Sequence, residues 1–208
     1  MDTSDPDIKF DDEGICHHYH EFFRRKNVEV FDGKDGLQRA RQIAGQIKAE
    51  TRNREYDCII GLSGGVDSSY VAHIVVNQLG LRPLAIHMDN GWNTELAVAN
   101  IENIVRKLKI DLRTIVLDWE QYRQIQRAFF RASVGNVEMI TDHAINATLF
   151  NTARRYGIRH IINGSNLYSE GILQSGGWGH DNKDYPNIRD INRRFGSGSL
   201  RKYPHLTP

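Results

Sequence analysis

Between Leu62 and Tyr70 the chain reads Ser63-Gly64-Gly65-Val66-Asp67-Ser68-Ser69. Adjacent glycines adopt backbone angles closed to other residues, so consecutive N–H groups can point the same way, and a helix that starts just after them adds unpaired amides and a partial positive charge. The hydroxyls of Ser63, Ser68 and Ser69 add donors. Such a set of donors binds a phosphate. No Gly-Lys-Ser/Thr follows, which excludes the P-loop pattern, and the loop carries an acid, Asp67. A carboxylate beside a phosphate repels it unless a cation lies between them, so Asp67 implies magnesium. The alternative is that Asp67 caps the helix and the glycines only turn the chain.

The elements that must position this loop are legible on either side. Asp57-Cys58-Ile59-Ile60-Gly61-Leu62 has the length and branching of a buried strand, and Val71, Ala72, Ile74, Val75 and Leu79 mark a helix that ends near Gly80. A helix over about 37–53 precedes the strand, with Leu37, Ala40, Ala44 and Ile47 on one face. Pro83 to Met88 reads as the next strand. Thr94 and Glu95 then start a helix through Leu108, Leu112 to Leu117 is a third strand, and Trp119 to about Phe130 a helix. Thr141 to Tyr156 is a further helix stopped by Gly157, with Thr141 and Asp142 as capping residues, and Arg159 to Asn163 is a fourth strand. Alternating strands and helices predict an α/β fold, a doubly wound parallel sheet covered on both faces, with ligands bound beyond the carboxyl ends of its strands. Residues 1–35 read as an irregular N-terminal arm, 36–173 as the nucleotide domain, and 174–208 as a loop-rich tail. That tail would be a substrate loop, a lid or the start of a substrate region.

Composition sets the outer bounds. In 208 residues, 27 Lys and Arg offset 26 Asp and Glu to give a net charge of +1, and 39% of residues are hydrophobic. This is the make-up of a globular chain, and the charge balance gives no reason to expect nucleic acid. No apolar run is long enough to cross a bilayer, so no membrane association is expected, and the acidic first residues have the wrong sign for a targeting peptide. Two cysteines, Cys16 and Cys58, far apart, point to a reducing, cytoplasmic setting without a disulfide framework.

The SGGVDSS loop after a hydrophobic strand resembles the pyrophosphate loop (PP-loop) of the N-type ATP pyrophosphatases, the superfamily of GMP synthetase, NAD synthetase, asparagine synthetase and several tRNA-modifying enzymes. The resemblance implies an adenine nucleotide alpha-hydrolase-like, HUP-type fold and cleavage of ATP between its α and β phosphates. Four further segments narrow it: MDTSDPDIKFD at 1–11, HMDNGW at 87–92, NGSNLYSEG at 163–171, and Trp178 through Asp184. Together they resemble the N-acetyl sugar amidotransferases of surface-polysaccharide (lipopolysaccharide O-antigen or sialic-acid-like sugar) biosynthesis. Those enzymes convert an acetamido group to an acetamidino group, and usually continue beyond the length seen here.

On that resemblance ATP is held by Leu62, Ser63, Gly64, Gly65, Asp67, Ser68, Ser69, His87, Met88 and Gly164, with the Met88 backbone reading the adenine edge. Asp89, Asn90, Trp92, His143, Asn166 and Glu170 contact the substrate, and Glu170 shares magnesium with Asp67. Asp67, Ser68 and Lys183 do the catalytic work, Lys183 at the α-phosphate. Each has a plainer reading: Met88 and Trp92 as core, Glu170 as a solvated loop acid, Lys183 as an exposed lysine. Cys16, His17, His18 and His20 fall where the family usually carries zinc-ribbon cysteines, but Tyr19 replaces the second cysteine and no zinc is assigned. Neither cysteine suits a glutaminase nucleophile, so ammonia is expected from a separate glutaminase subunit. Alternatives from the same chemistry are a tRNA-thiolating enzyme or an NAD- or GMP-synthetase-like ligase; from another class, a non-catalytic adenine-nucleotide sensor.

Overall fold

A computed structural model describes residue 3, residues 5–170 and residues 181–206. Trp178, and the rest of 171–180 in the expected tail, lie outside the described residues. The chain divides into two compact units, Met1–Ile43 with Ser165–Gly179, and Ala44–Gly164 with His180–Pro208.

The second unit carries a four-stranded sheet in the order β3-β2-β1-β4, every neighbouring pair parallel. Its strands are β1 (Cys58–Gly61), β2 (Pro83–Asp89), β3 (Asp111–Val116) and β4 (Ile161–Ile162). Strand alternation divides the apolar residues between two faces. Cys58, Ile60 and Ala85 pack with Ala72, Val75 and Ile101, from α3 (Val66–His73), the π-helical turn that extends it (Ile74–Gln78) and α4 (Glu95–Leu108). Ile59, Leu84 and Ile86 pack with Ala153 of α6 (Met139–Tyr156). A third cluster joins α5 (Trp119–Arg131), α6 and α8 (Tyr185–Phe195) through Tyr122, Ile125, Phe129, Ile140 and Ile188. The fold is therefore α/β with both sheet faces covered, as the periodicity predicts. The chain winds outward from β1 to β2 and β3, then returns through α5 and α6 to place β4 on the other side of β1. That reversal makes the carboxyl ends of β1 and β4 the topological switch point.

Helix ends follow local chemistry. Thr94 accepts a hydrogen bond from the Ala97 N–H (3.2 Å) and Asp118 from Gln121 (3.0 Å), while Gly157, at φ +65°, ends α6. Thr141 and Asp142 are not caps, because α6 begins two residues earlier, after Glu138. The Thr141 hydroxyl instead pairs with that of Tyr122 at 2.6 Å. β4 is shorter than the expected 159–163, since only Ile161 and Ile162 find partners, Ile59 and Ile60.

Two segments expected to be irregular are helical. In the first unit α1 (His17–Glu29) buries no residue completely; the Arg24–Glu21 and Arg25–Glu29 pairs and the edge-on contact of Phe22 with Tyr168 of α7 (Leu167–Glu170) accompany it. α2 (Gly33–Glu50) starts four residues before the expected 37. In the tail, α8 is capped by Asp184, carries Pro186 in its first turn, and buries Ile188 and Ile191.

Asp57 anchors the start of β1. Its carboxylate, 2% exposed, accepts hydrogen bonds from the Thr51 hydroxyl (2.6 Å), the Arg82 backbone (2.8 Å) and the Arg82 guanidinium (2.7 Å). Burial raises the pKa of this carboxyl, but the Arg82 and Thr51 hydrogen bonds outweigh it and hold the group below the ordinary aspartate value. The bonds therefore stabilise the fold above about pH 4 and are lost as pH falls through the depressed folded value. Asp57→Ala is expected to cost about 3 kcal/mol. Asp57→Asn should flatten the acid limb of stability against pH, measured by urea denaturation between pH 3 and 7.

Candidate functional site

The β1 end feeds directly into the serine–glycine loop. Gly64 stands at φ +78°, and a Cβ there would lie 2.4 Å from the Ala97 carbonyl oxygen, so only glycine lets the loop sit this close to α4. Asn100 of α4 donates to the Gly64 carbonyl at 3.0 Å and holds the same contact from the side. Serine hydroxyls bridge the turn: Ser63 N–H donates to Ser68 Oγ (3.2 Å), Gly65 N–H to Ser63 Oγ (3.4 Å), and Ser69 Oγ–H to the Gly65 carbonyl (2.6 Å). No side chain caps the start of α3. Its first-turn amides, beside two loop amides held only by long bonds, leave the helix start open, and an open helix start attracts anions. Asp67 is exposed in that first turn.

A cavity of about 340 Å³ opens beside the loop. Gly61, Leu62, Ser63 and Ser68 line it from the β1 side, Ile86, His87 and Met88 from β2, and Asn90 and Asn93 from the turn after β2. Asn163 and Gly164 line it from the end of β4, and Ile145, Thr148 and Leu149 from α6. One end is therefore hydroxyl- and amide-rich, and the wall around Ile86, Met88, Ile145 and Leu149 is apolar. Gly164 is packed closely, since a Cβ there would meet the Asp67 carbonyl carbon at 3.2 Å and Val71 Cγ2 at 3.3 Å.

His87 is 7% exposed and both of its nitrogens are engaged. Nδ1 lies 3.0 Å from the Leu62 carbonyl, which can only accept, so Nδ1 carries the proton; Nε2, 3.2 Å from the Asn93 amide, then accepts. Asn93 also donates to Asp89 Oδ1 at 2.9 Å. The chain Asp89, Asn93, His87, Leu62 ties the turn after β2 to the first carbonyl of the loop. Asp89 also accepts from Gly91 N–H (2.9 Å) and Asn90 from Trp92 N–H (3.1 Å), which makes the segment two overlapping side-chain turns. Trp92 is exposed, edge-on to Trp119 at 5.6 Å.

The sequence-predicted set divides accordingly. Leu62, Ser63, Ser68, His87, Met88, Asn90 and Gly164 share the cavity wall; Gly64, Gly65, Asp67 and Ser69 complete its loop; Asp89 and Trp92 belong to the adjoining turn. Asn166 and Glu170 lie in the other compact unit, where the Glu170 N–H bonds the Asn166 carbonyl at 3.1 Å. Lys183 is exposed in the turn before α8 and is not on the cavity wall. His18 pairs with Asp5 and His20 with Asp11, and among the described residues no three His, Cys, Asp or Glu side chains converge as a metal site.

His143 is not on the cavity wall. It is fully buried, Nδ1 donating to the Asn182 carbonyl (2.7 Å) and Nε2 accepting the Leu206 N–H (3.2 Å), with its ring stacked between Tyr185 and Tyr203. It fixes the segments on either side of α8 to α6. Sequence reading also passed over Ile145, Thr148 and Leu149. Their i, i+3, i+4 spacing marks one helical face, but not what that face meets.

Comparison with known proteins bears on this geometry. Residues 40–158 match the family described as NAD synthase. The chain belongs to the NAD synthase family. This places it in the PP-loop superfamily; the narrower resemblance to sugar amidotransferases is not part of that match. Among solved structures it is similar to NMN synthetase from Francisella tularensis (TM-score 0.50, 17% identity, 80% of this chain and 71% of that one). It is also similar to the NH3-dependent NAD synthetase of Campylobacter jejuni (0.49, 18%, 76% and 72%) and the glutamine-dependent NAD+ synthetase of Acinetobacter baumannii (0.49, 18%, 95% and 38%). The likeness to the Francisella structure supports the α/β fold. An uncharacterised protein of Methanocaldococcus jannaschii is 29% identical over 65 residues, 31% of this chain and 24% of that protein's length.

Two predictions follow from the packing. Gly64→Ala is expected to destabilise the chain by about 2 kcal/mol or more, whereas Gly65→Ala, whose Cβ would meet only Ser63 Oγ at 3.4 Å, should cost under about 1 kcal/mol in urea denaturation. Burial holds the pKa of His143 below its ordinary value, so as pH falls below about 6.5 the unfolded chain takes up the proton first and stability declines. His143→Gln should remove that part of the decline, as read from thermal midpoints between pH 5 and 8.

Proposed function

We propose that this chain is the ATP-pyrophosphatase part of a ligase, one that activates a carbonyl oxygen by adenylation and lets ammonia displace AMP. The observation that carries the reading is the uncapped start of α3 beside the Ser63–Ser69 loop, opening on an apolar-walled cavity at the switch point. A triphosphate suits the first part and a purine the second. Ser63, Ser68, Ser69 and the loop amides hold the β and γ phosphates. Asp67 fits a magnesium ion, because an ion that keeps most of its waters needs only one or two carboxylates besides phosphate oxygens. Bound there, the ion would neutralise phosphate charge.

The reaction balances simply. The carbonyl oxygen of the acceptor attacks the α-phosphorus, the α–β bond breaks and pyrophosphate leaves. The nitrogen lone pair of ammonia then attacks the activated carbon, AMP departs with the former carbonyl oxygen, and the protons shed by nitrogen pass to solvent. No covalent nucleophile is required of the protein; its part is to orient and to neutralise charge. Lys183 is proposed to meet the α-phosphate.

For the acceptor, the segments at 87–92 and 163–171 support an acetamido sugar, converted to an acetamidino sugar, with ammonia from a separate glutaminase subunit. A second reading rests on the family match over 40–158: the carboxylate of a nicotinic acid dinucleotide, converted to its amide. No helix of the described residues is long and apolar enough to span a membrane, and a cytoplasmic setting is part of the proposal. The purified chain, with magnesium, ATP and ammonium, should release AMP when given a nucleotide-linked N-acetyl sugar. Release only with nicotinic acid adenine dinucleotide selects the second reading. Asp67→Asn should lower the rate about 10²-fold. ATP binding with no AMP release under either acceptor would favour a nucleotide sensor and overturn the ligase.

A further inference from the structure

Thr148 lies on α6 between Ile145 and Leu149, on the helix face that closes the cavity. A threonine within a helix ordinarily returns its hydroxyl to the carbonyl four residues earlier, here Ala144. Thr148 does not. Its Oγ1 is sealed from solvent and has no hydrogen-bond partner among the described residues, although the residue forms part of the cavity wall. A buried hydroxyl left without a partner weakens the folded state, and valine would fill the same volume without that penalty. Folding alone gives no reason for an oxygen at this position.

The surroundings indicate what the oxygen meets. Ile86, Met88, Ile145 and Leu149 line the same cavity as Thr148 and give it an apolar wall. An apolar slot accepts the faces of a planar heteroaromatic ring, whose polar edge then needs a partner. A hydroxyl both donates and accepts, so it can pair with a ring nitrogen or an exocyclic amine. Rotation about the Cα–Cβ bond carries Oγ1 among three staggered positions, and because Thr148 forms part of the cavity wall, a change of rotamer is what pairing with a ligand asks of it.

We propose that Thr148 is a base-recognition residue, its hydroxyl hydrogen-bonding the polar edge of the adenine that occupies this slot. The inference rests on the reading of the cavity as an ATP site and adds to it the residue that distinguishes a base from an empty wall. Its hydroxyl is carried at the expense of the ligand-free fold and is satisfied on binding.

The test uses the full chain as wild type, Thr148→Val and Thr148→Ser. It measures the thermal midpoint without nucleotide, and calorimetric affinities for magnesium ATP and for magnesium tripolyphosphate, which has the phosphates but no base. Thr148→Val should raise the midpoint by about 2–4 °C, weaken ATP about ten-fold and leave tripolyphosphate unchanged, and Thr148→Ser should bind ATP nearly as wild type does. Unchanged ATP affinity in Thr148→Val overturns the assignment, as does equal loss of both ligands or a lowered midpoint without nucleotide. If wild type binds neither ATP nor tripolyphosphate, the ATP reading itself fails and this assignment falls with it.

Discussion

The approach of Gly64 to the carbonyl of Ala97 constrains everything the loop can do. With φ at +78° and no room for a Cβ, the backbone between β1 and α3 is pressed against α4, and Asn100 holds the Gly64 carbonyl from the neighbouring turn. The carbonyl is thus turned away to α4, and the amides that begin α3 are left without a side-chain cap. A helix start is a source of partial positive charge only while those amides stay open. The rest of the unit can be understood as support for this geometry: β1 is buried on both faces, α4 is set by its own threonine cap, and His87 anchors the Leu62 carbonyl.

The same arrangement explains why the cavity lies where it does. In a parallel sheet wound in both directions from β1, the helices that follow neighbouring strands part at the reversal, and the space left at the carboxyl ends is walled by residues distant in sequence. Leu62, Met88, Gly164 and Thr148 come together only because β2 lies on one side of β1 and β4 on the other, with α6 packed across the face that carries Ile59 and Ile86. The polar network through Asp89, Asn93 and His87 joins the loop end of the cavity to the turn after β2.

What the sequence discloses follows from the range of the forces involved. The loop, the strands β1 to β3 and the helix ends at Thr94 and Gly157 depend on neighbours a few residues away, and period and residue type announce them. α1 has no fully buried residue and a face rich in histidine and charge, so no apolar stripe marks it. α8 has few buried anchors, Ile188 and Ile191 chief among them, and lies among glycines and prolines that suggest turns, although Asp184 and Pro186 are ordinary start signals. His143 misleads for another reason. A polar residue in the first turns of a helix looks available, and only the docking of Asn182, Tyr203 and Leu206 makes it interior. Thr148 is illegible altogether, since what sets it apart is that its hydroxyl finds no partner among the described residues in three dimensions.

The central claim is that a nucleotide triphosphate sits with its phosphates on the Ser63–Ser69 loop and its base in the apolar slot. A crystal structure of the chain with magnesium and an ATP analogue that resists α–β cleavage tests it most directly. The account predicts β- and γ-phosphate oxygens within hydrogen-bonding distance of the Gly65, Val66 or Ser68 amides and the base between Met88 and Ile145. Phosphates bound away from the start of α3, or a base outside the wall formed by β2 and α6, would contradict it.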